Sequence, residues 1–99
     1  MDLASFEGSI DEAEPWGNLS VALKALWYEA KGDWRQAHLL AQSDDGEASA
    51  WVHAYLHRVE GDESNAAYWY RRVDKPYCHL SLADEWRDIA RALLEVEAA

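Results

Sequence analysis

Residues 27–42 and 56–71 repeat one pattern at an offset of 29 positions: WYEAKGDWRQAHLLAQ aligns with LHRVEGDESNAAYWYR. The alignment brings Gly32 onto Gly61, Asp33 onto Asp62 and Ala37 onto Ala66. A fixed period of this size means that one supersecondary unit recurs, and a unit with Gly-Asp between two helically periodic stretches is a helical hairpin. A lone hairpin cannot bury its apolar face, so two copies must stack and the array needs a terminal helix with a polar outer side. The repeat therefore predicts an all-α chain of stacked antiparallel hairpins.

Local signals place the elements. Residues 1–17 read as an acidic, weakly ordered arm that only Leu3, Phe6 and Ile10 could pin down, punctuated at its end by Pro15 and Gly17. Residues 18–97 form the single helical domain. Its first helix is expected over residues 19–31 with Asn18 as N-cap, Leu19, Leu23, Leu26, Trp27 and Ala30 marking the buried stripe. Gly32 suits the left-handed residue that stops a helix, and Asp33 caps the next one, over residues 34–42. A third helix spans residues 47–60 and Gly61-Asp62 repeats the stop-and-cap device before a fourth, over residues 63–73. After a loop containing Pro76, Ser81 with Asp84 opens a last helix. Trp86, Ile89, Ala90, Leu93, Leu94 and Glu97 follow helical spacing along one of its faces.

The hexapeptides GDWRQA (residues 32–37) and GDESNA (residues 61–66), placed inside hairpin turns, resemble the tetratricopeptide (TPR) signature Gly-Asp-x-x-x-Ala. Tyr28, four residues before Gly32, also sits where that family favours tyrosine, and Ala25 and Ala54 stand where its first helix favours glycine. The period of 29 is shorter than the usual ~34 and the first repeat lacks the closing proline, so the chain is similar to an irregular TPR-like or Sel1-like array. The stretch HAYLHRVEGDESNAAYWYRR, followed by a proline and an amphipathic helix, also resembles a group of small bacterial proteins. The TPR resemblance implies two stacked TPR-like hairpins with a C-terminal capping helix, a fragment of a right-handed α-α superhelix, and binding of a protein segment on the first-helix face.

Composition narrows the partners. Ninety-nine residues make one small domain, which must pack densely to be stable, and six Trp and five Tyr supply the bulk. The formal net charge is −10, and half of it lies in residues 1–15, where Asp2, Glu7, Asp11, Glu12 and Glu14 face no basic residue. Sequence-independent nucleic-acid binding needs Lys and Arg to neutralise phosphates, and the short cluster Arg71, Arg72 and Lys75 does not supply that. A single cysteine, Cys78, rules out an internal disulfide and a multi-cysteine zinc site. There is neither a signal-like leader nor an apolar stretch of membrane-spanning length, so a cytoplasmic protein is expected.

Two constellations carry chemistry. His53-x-x-x-His57-x-x-Glu60 points three potential metal ligands along one side of the third helix. The sequence favours the plainer reading, a polar helix face whose histidines make ordinary hydrogen bonds, so no metal site is expected and the three are weak candidates; His38 and His79 complete a ligand set only if the fold brings them close. Subtracting 29 gives the matching face of the first helix: Lys24, Tyr28 and Lys31. The TPR resemblance places both faces along one groove, so Lys24, Tyr28, Lys31, His53 and His57, with Glu60 beside Lys31, would suit an acidic peptide. The second constellation is Tyr68-Trp69-Tyr70. Three consecutive aromatics on a helix point about 100° apart and cannot all enter one core; cover by residues 1–17 or the last helix is the favoured expectation, and the alternative makes Tyr68 and Trp69 candidates for an interface, beside Arg71 and Arg72.

No nucleophile, base and orienting group can be named together: Cys78 and His79 are adjacent and face apart, and the caps Asp33, Asp62 and Asp84 already have a structural task. The expected function is thus a non-enzymatic protein-interaction module without a cofactor. The alternatives are a metal-dependent site on His53, His57 and Glu60, or a homo-oligomer that buries Trp69 or Trp86 across its interface.

Overall fold

A computed structural model of the chain, describing residues 1–98, is all-helical among those residues: α1 Leu3–Gly8, a 3-10 turn Ser9–Asp11, α2 Val21–Ala30, α3 Trp34–Gln42, α4 Glu47–Glu60, α5 Glu63–Arg72 and α6 Leu82–Ala98. The repeated Gly-Asp dipeptide explains the tightness of the turns between α2 and α3 and between α4 and α5. Gly32 (φ 90°) and Gly61 (φ 85°) take the left-handed conformation, which an L side chain would strain. Gly61 N–H then donates to Arg58 O and Asp62 N–H to His57 O, and Gly32 and Asp33 make the same pair of bonds to Glu29 O and Tyr28 O. This is the double closure of a Schellman motif. The aspartate completing it caps the next helix through its carboxylate, Asp33 accepting from Gln36 N at 3.1 Å and Asp62 from Asn65 N at 3.3 Å. One dipeptide ends one helix and begins another, with no residue between to loosen the turn.

Consecutive helices pack in pairs, α2 against α3 and α4 against α5, and α3 also lies against α4. α6 crosses α2 and α4 and reaches α1, giving extents of 33 × 28 × 26 Å. The core joins Leu23, Leu26 and Trp27 of α2, Val52, Tyr55 and Leu56 of α4, and Trp86, Ile89 and Leu93 of α6. The indole N–H groups are satisfied inside it: Trp86 donates to Leu26 O (3.0 Å), Trp34 to Leu56 O (2.8 Å) and Trp27 to Ser9 O (3.1 Å). Among the described residues, no helix is long and apolar enough to cross a membrane.

One expectation needs correction. The first domain helix begins two residues later than Asn18 and Leu19 suggest. Leu19 N–H closes a turn onto Trp16 O, so Asn18 is used in that turn and Ser20 is the cap, accepting from Leu23 N at 3.2 Å. Ser20 also donates its hydroxyl to Glu97 at 2.7 Å, tying the start of α2 to the end of α6. Within the segment read as a weakly ordered arm, residues 3–11 are helical, and Leu3, Phe6 and Ile10, the residues that could pin it down, pack on the core. Phe6 is fully buried and stacks on Trp86 with ring centroids 5.5 Å apart, Ser9 is buried, and Arg87 meets Glu7 at 3.4 Å. Trp27 needs an acceptor for its buried N–H and the α1 end supplies one, which is a tertiary demand rather than a local propensity.

Candidate functional site

α4 is enclosed on two sides, and its polar stripe is the unusual one. His53 (5% exposed) and His57 (8%) are buried, and they meet a third imidazole, His38, that α3 presents to them. Trp34, His38 and Ala41 are spaced i, i+4, i+7 on α3, so the stripe that buries Ala41 also turns His38 toward α4. His38 Nε2 lies 3.1 Å from His53 Nε2. The ring centroids are 4.7 Å apart for His38 and His53, 5.4 Å for His38 and His57, and 4.8 Å for His53 and His57. One ligand nitrogen from each histidine falls within 4.8 Å of the other two.

Aromatic rings wall the cluster. Trp34 stacks on His38 at 4.8 Å and 8°, and Trp69 of α5 stacks on His53 at 4.0 Å and 16°. Beneath His57, Glu60 Oε2 lies 2.6 Å from Nδ1. A carboxylate can only accept, so His57 Nδ1 carries the hydrogen of this contact. His53 Nδ1 is buried with no hydrogen-bond partner. Whichever tautomer His53 adopts, one of its nitrogens lacks a partner, and a buried polar atom left so costs about 1–3 kcal/mol. Burial, with help from His57 and His38, pushes the pKa of His53 down to about 4, and burial lowers that of His38 in the same direction. Both imidazoles are therefore neutral near pH 7 and hold lone pairs.

The expected groove residues divide. His53 and His57 turn to α3 and α5. On α2, Lys31 is exposed with its ammonium 5.4 Å over the Trp27 ring, Tyr28 stands edge-on to Trp27, and Lys24 is half-buried. Glu60, expected beside Lys31, holds His57 instead. Of the aromatic run, Tyr70 enters the core, Trp69 is half-buried against His53, and Tyr68 is 45% exposed. Arg72 lies 5.9 Å over Tyr68 and 4.9 Å over Trp69. His79 packs near Tyr77 in the loop before α6, apart from the other imidazoles.

Sequence reasoning left out a buried network around Glu85. Its carboxylate accepts from Arg58 at 2.7 Å and from the Tyr70 hydroxyl, and Arg58 also donates to Leu80 O. The only sequence signal was a glutamate beside Trp86 at the start of an apolar stripe. Glu85 lines a cleft of about 310 Å³ with Trp51, Lys75 and Tyr77, where Lys75 sits 4.0 Å over the Trp51 ring. Nearby Cys78 is half-buried, and burial pushes its thiol pKa up, away from the thiolate.

Comparison with protein-family models, curated proteins and solved structures finds no match to this chain.

Proposed function

We propose that this chain is a non-enzymatic protein-interaction module, TPR-like in its hairpin repeat, that docks an acidic segment carrying an apolar anchor on the outer face of α5. The observation that carries the reading is the cluster of Tyr68, Trp69, Arg71 and Arg72. Arg72 spans both aromatic rings, and Tyr68 Oη is 3.5 Å from its guanidinium. Among the described residues neither Arg71 nor Arg72 is in an ion pair, in a chain of net charge −10. Exposed aromatic and arginine side chains together are the composition of interface hot spots, and unpaired guanidinium groups fit carboxylates. Lys24, Tyr28 and Lys31 on α2 form a separate, weaker cationic face, since His53 and His57 no longer extend it.

The test is fluorescence anisotropy of a labelled peptide of alternating Glu and Leu, against a Lys-Leu counterpart, with wild type and an Arg71→Glu/Arg72→Glu variant. Both arginines are exposed, so the variant should fold. Binding of the acidic peptide alone, lost in the variant and weakened by salt, supports the reading. Equal binding of both peptides, or a variant that binds as wild type does, refutes it. So does a sedimenting mass of twice the monomer that the variant returns to the monomer, because the occupant would then be a second copy.

A further inference from the structure

We propose that His38, His53 and His57 bind a divalent transition-metal ion of the zinc class, with Glu60 as the carboxylate that orients His57. The inference goes beyond the interaction reading and rests on different residues.

Three features make the cluster a ligand set rather than a polar patch. The first is convergence. Two imidazoles bound to one tetrahedral zinc at about 2.0–2.1 Å place their nitrogens about 3.3 Å apart. His38 Nε2 and His53 Nε2 already lie 3.1 Å apart, and the His57 ligand atom lies within 4.8 Å of both. The third ligand is the His57 nitrogen that Glu60 does not engage.

The second feature is Glu60. Metal-bound histidines as a rule donate their other ring N–H to a carboxylate, which fixes the tautomer and raises the basicity of the ligating nitrogen. The His57 Nδ1–Glu60 contact of 2.6 Å has that form. Glu60 is therefore a positioning residue and not itself a ligand. The third feature is the incomplete hydrogen bonding of the buried cluster. His53 is 5% exposed, its Nδ1 has no partner, and its Nε2 meets His38 Nε2 in a single N···N contact of 3.1 Å. A cation bound between the two Nε2 atoms would take the place of the one hydrogen they share.

The donor set selects the metal. Imidazole nitrogens without thiolate suit zinc, copper and nickel, and they disfavour the oxygen-seeking calcium and magnesium. Trp34 and Trp69 shield two sides, while the half-buried His38 leaves the solvent side for an exchangeable fourth ligand. The acidic chain favours cation entry, since its field concentrates positive ions at the surface. A second acidic cluster, His57 with Glu60 and Asp62, competes for the assignment. It is weaker because Asp62 already caps α5 through Asn65 N–H and the side-chain amide of Asn65.

The experiment uses the whole chain, stripped with chelator and titrated with zinc chloride by calorimetry. Cobalt(II) absorption serves as a second readout of coordination geometry. One equivalent should bind, and cobalt should give the intense visible bands of a tetrahedral site. His38→Ala should weaken zinc binding at least ~100-fold, and Glu60→Gln, which removes only the orienting carboxylate, about 10–100-fold. Asp62→Asn keeps the cap, because Asn caps as well as Asp, and should bind as wild type does, as should His79→Ala. Circular dichroism of each variant separates lost binding from lost fold. The assignment is overturned if chelator-stripped wild type takes up no zinc, if folded His38→Ala binds as tightly as wild type, or if Asp62→Asn abolishes binding. Cobalt bands of an octahedral, oxygen-rich site would overturn it equally.

Discussion

Replacing Phe6 by Ala tests whether the first seventeen residues belong to the folded unit. The Phe6 ring is fully buried and stacked on Trp86, and three residues later Ser9 O accepts the buried N–H of Trp27. A large-to-small change of this kind in a closed interior costs about 3–5 kcal/mol. Here the loss has a ceiling, because α1 is only six residues long and can detach instead of leaving a cavity. The ceiling is what docking α1 contributes: about 1.5–3 kcal/mol for burying the ring and about 1 kcal/mol for the Trp27 hydrogen bond. The exposed Arg87–Glu7 pair adds almost nothing. Phe6→Ala should therefore cost about 2.5–4 kcal/mol. For a domain of this size each kcal/mol moves Tm by about 4–8 °C, so a fall of about 10–30 °C is expected. The assay is thermal unfolding followed by far-ultraviolet circular dichroism, with near-ultraviolet bands reporting the Trp27 and Trp86 environments. Phe6→Leu, which keeps most of the apolar volume, should recover more than half of the loss. A Tm within about 2 °C of wild type in Phe6→Ala would show that α1 is not coupled to the core, and the docking argument would fail.

Four further perturbations follow from single sites. Gly61→Ala should cost about 1–2 kcal/mol, because φ is 85° and only the backbone is strained, with open space around the new Cβ; Gly8→Ala, at φ −63°, should instead stabilise by about 0.5–1 kcal/mol, and chemical denaturation compares them. Glu29 has its carboxyl pushed above 4.5 by burial, with the Tyr55 hydroxyl 2.6 Å away opposing that rise. Its folded state thus holds a proton more tightly than the unfolded chain, and its contribution, full below the unfolded pKa, is lost as pH rises through the folded value. Glu29→Gln should remove that slope and leave stability at pH 7 equal or higher; a loss above about 1 kcal/mol at pH 7 would contradict it. Glu85→Ala strands the Arg58 guanidinium and the Tyr70 hydroxyl together, and breaking such a buried pair costs about 3–5 kcal/mol by denaturant titration.

What the sequence reveals of the fold is what depends on backbone conformation. Gly32-Asp33 and Gly61-Asp62 are legible because only glycine takes positive φ cheaply and an aspartate at that point can satisfy the next helix start; the stop and the start are both local. The same locality misplaces the start of α2. Asn18 and Ser20 are comparably good caps, and the choice between them is made at a distance, by Glu97 receiving the Ser20 hydroxyl and by the turn that Leu19 closes onto Trp16. The acidic composition of residues 1–15 argues for a loose arm, while Phe6 and Ser9 are held by Trp86 and Trp27, whose needs exist only once α2 and α6 have met.

The histidine cluster shows the same division within one site. The i, i+4 pair on α4 is visible because a helix carries both side chains on one face, and the carboxylate at i+7 is visible for the same reason. Helix periodicity says nothing of what covers that face. A repeat offset suggests its counterpart on α2, but sequential packing puts α3 and α5 against α4 and brings His38 and Trp69 in from either side. Enclosure reverses the chemistry of the face. On an open groove, His53 and His57 would be solvated and half-protonated near pH 6.5, adding to the charge of Lys24 and Lys31. Enclosed, His53 is held neutral with its pKa pushed down to about 4 and presents lone pairs instead of charge. A face that reads as open and cationic along the sequence is thus enclosed, and Glu60 stands against His57 instead of beside Lys31.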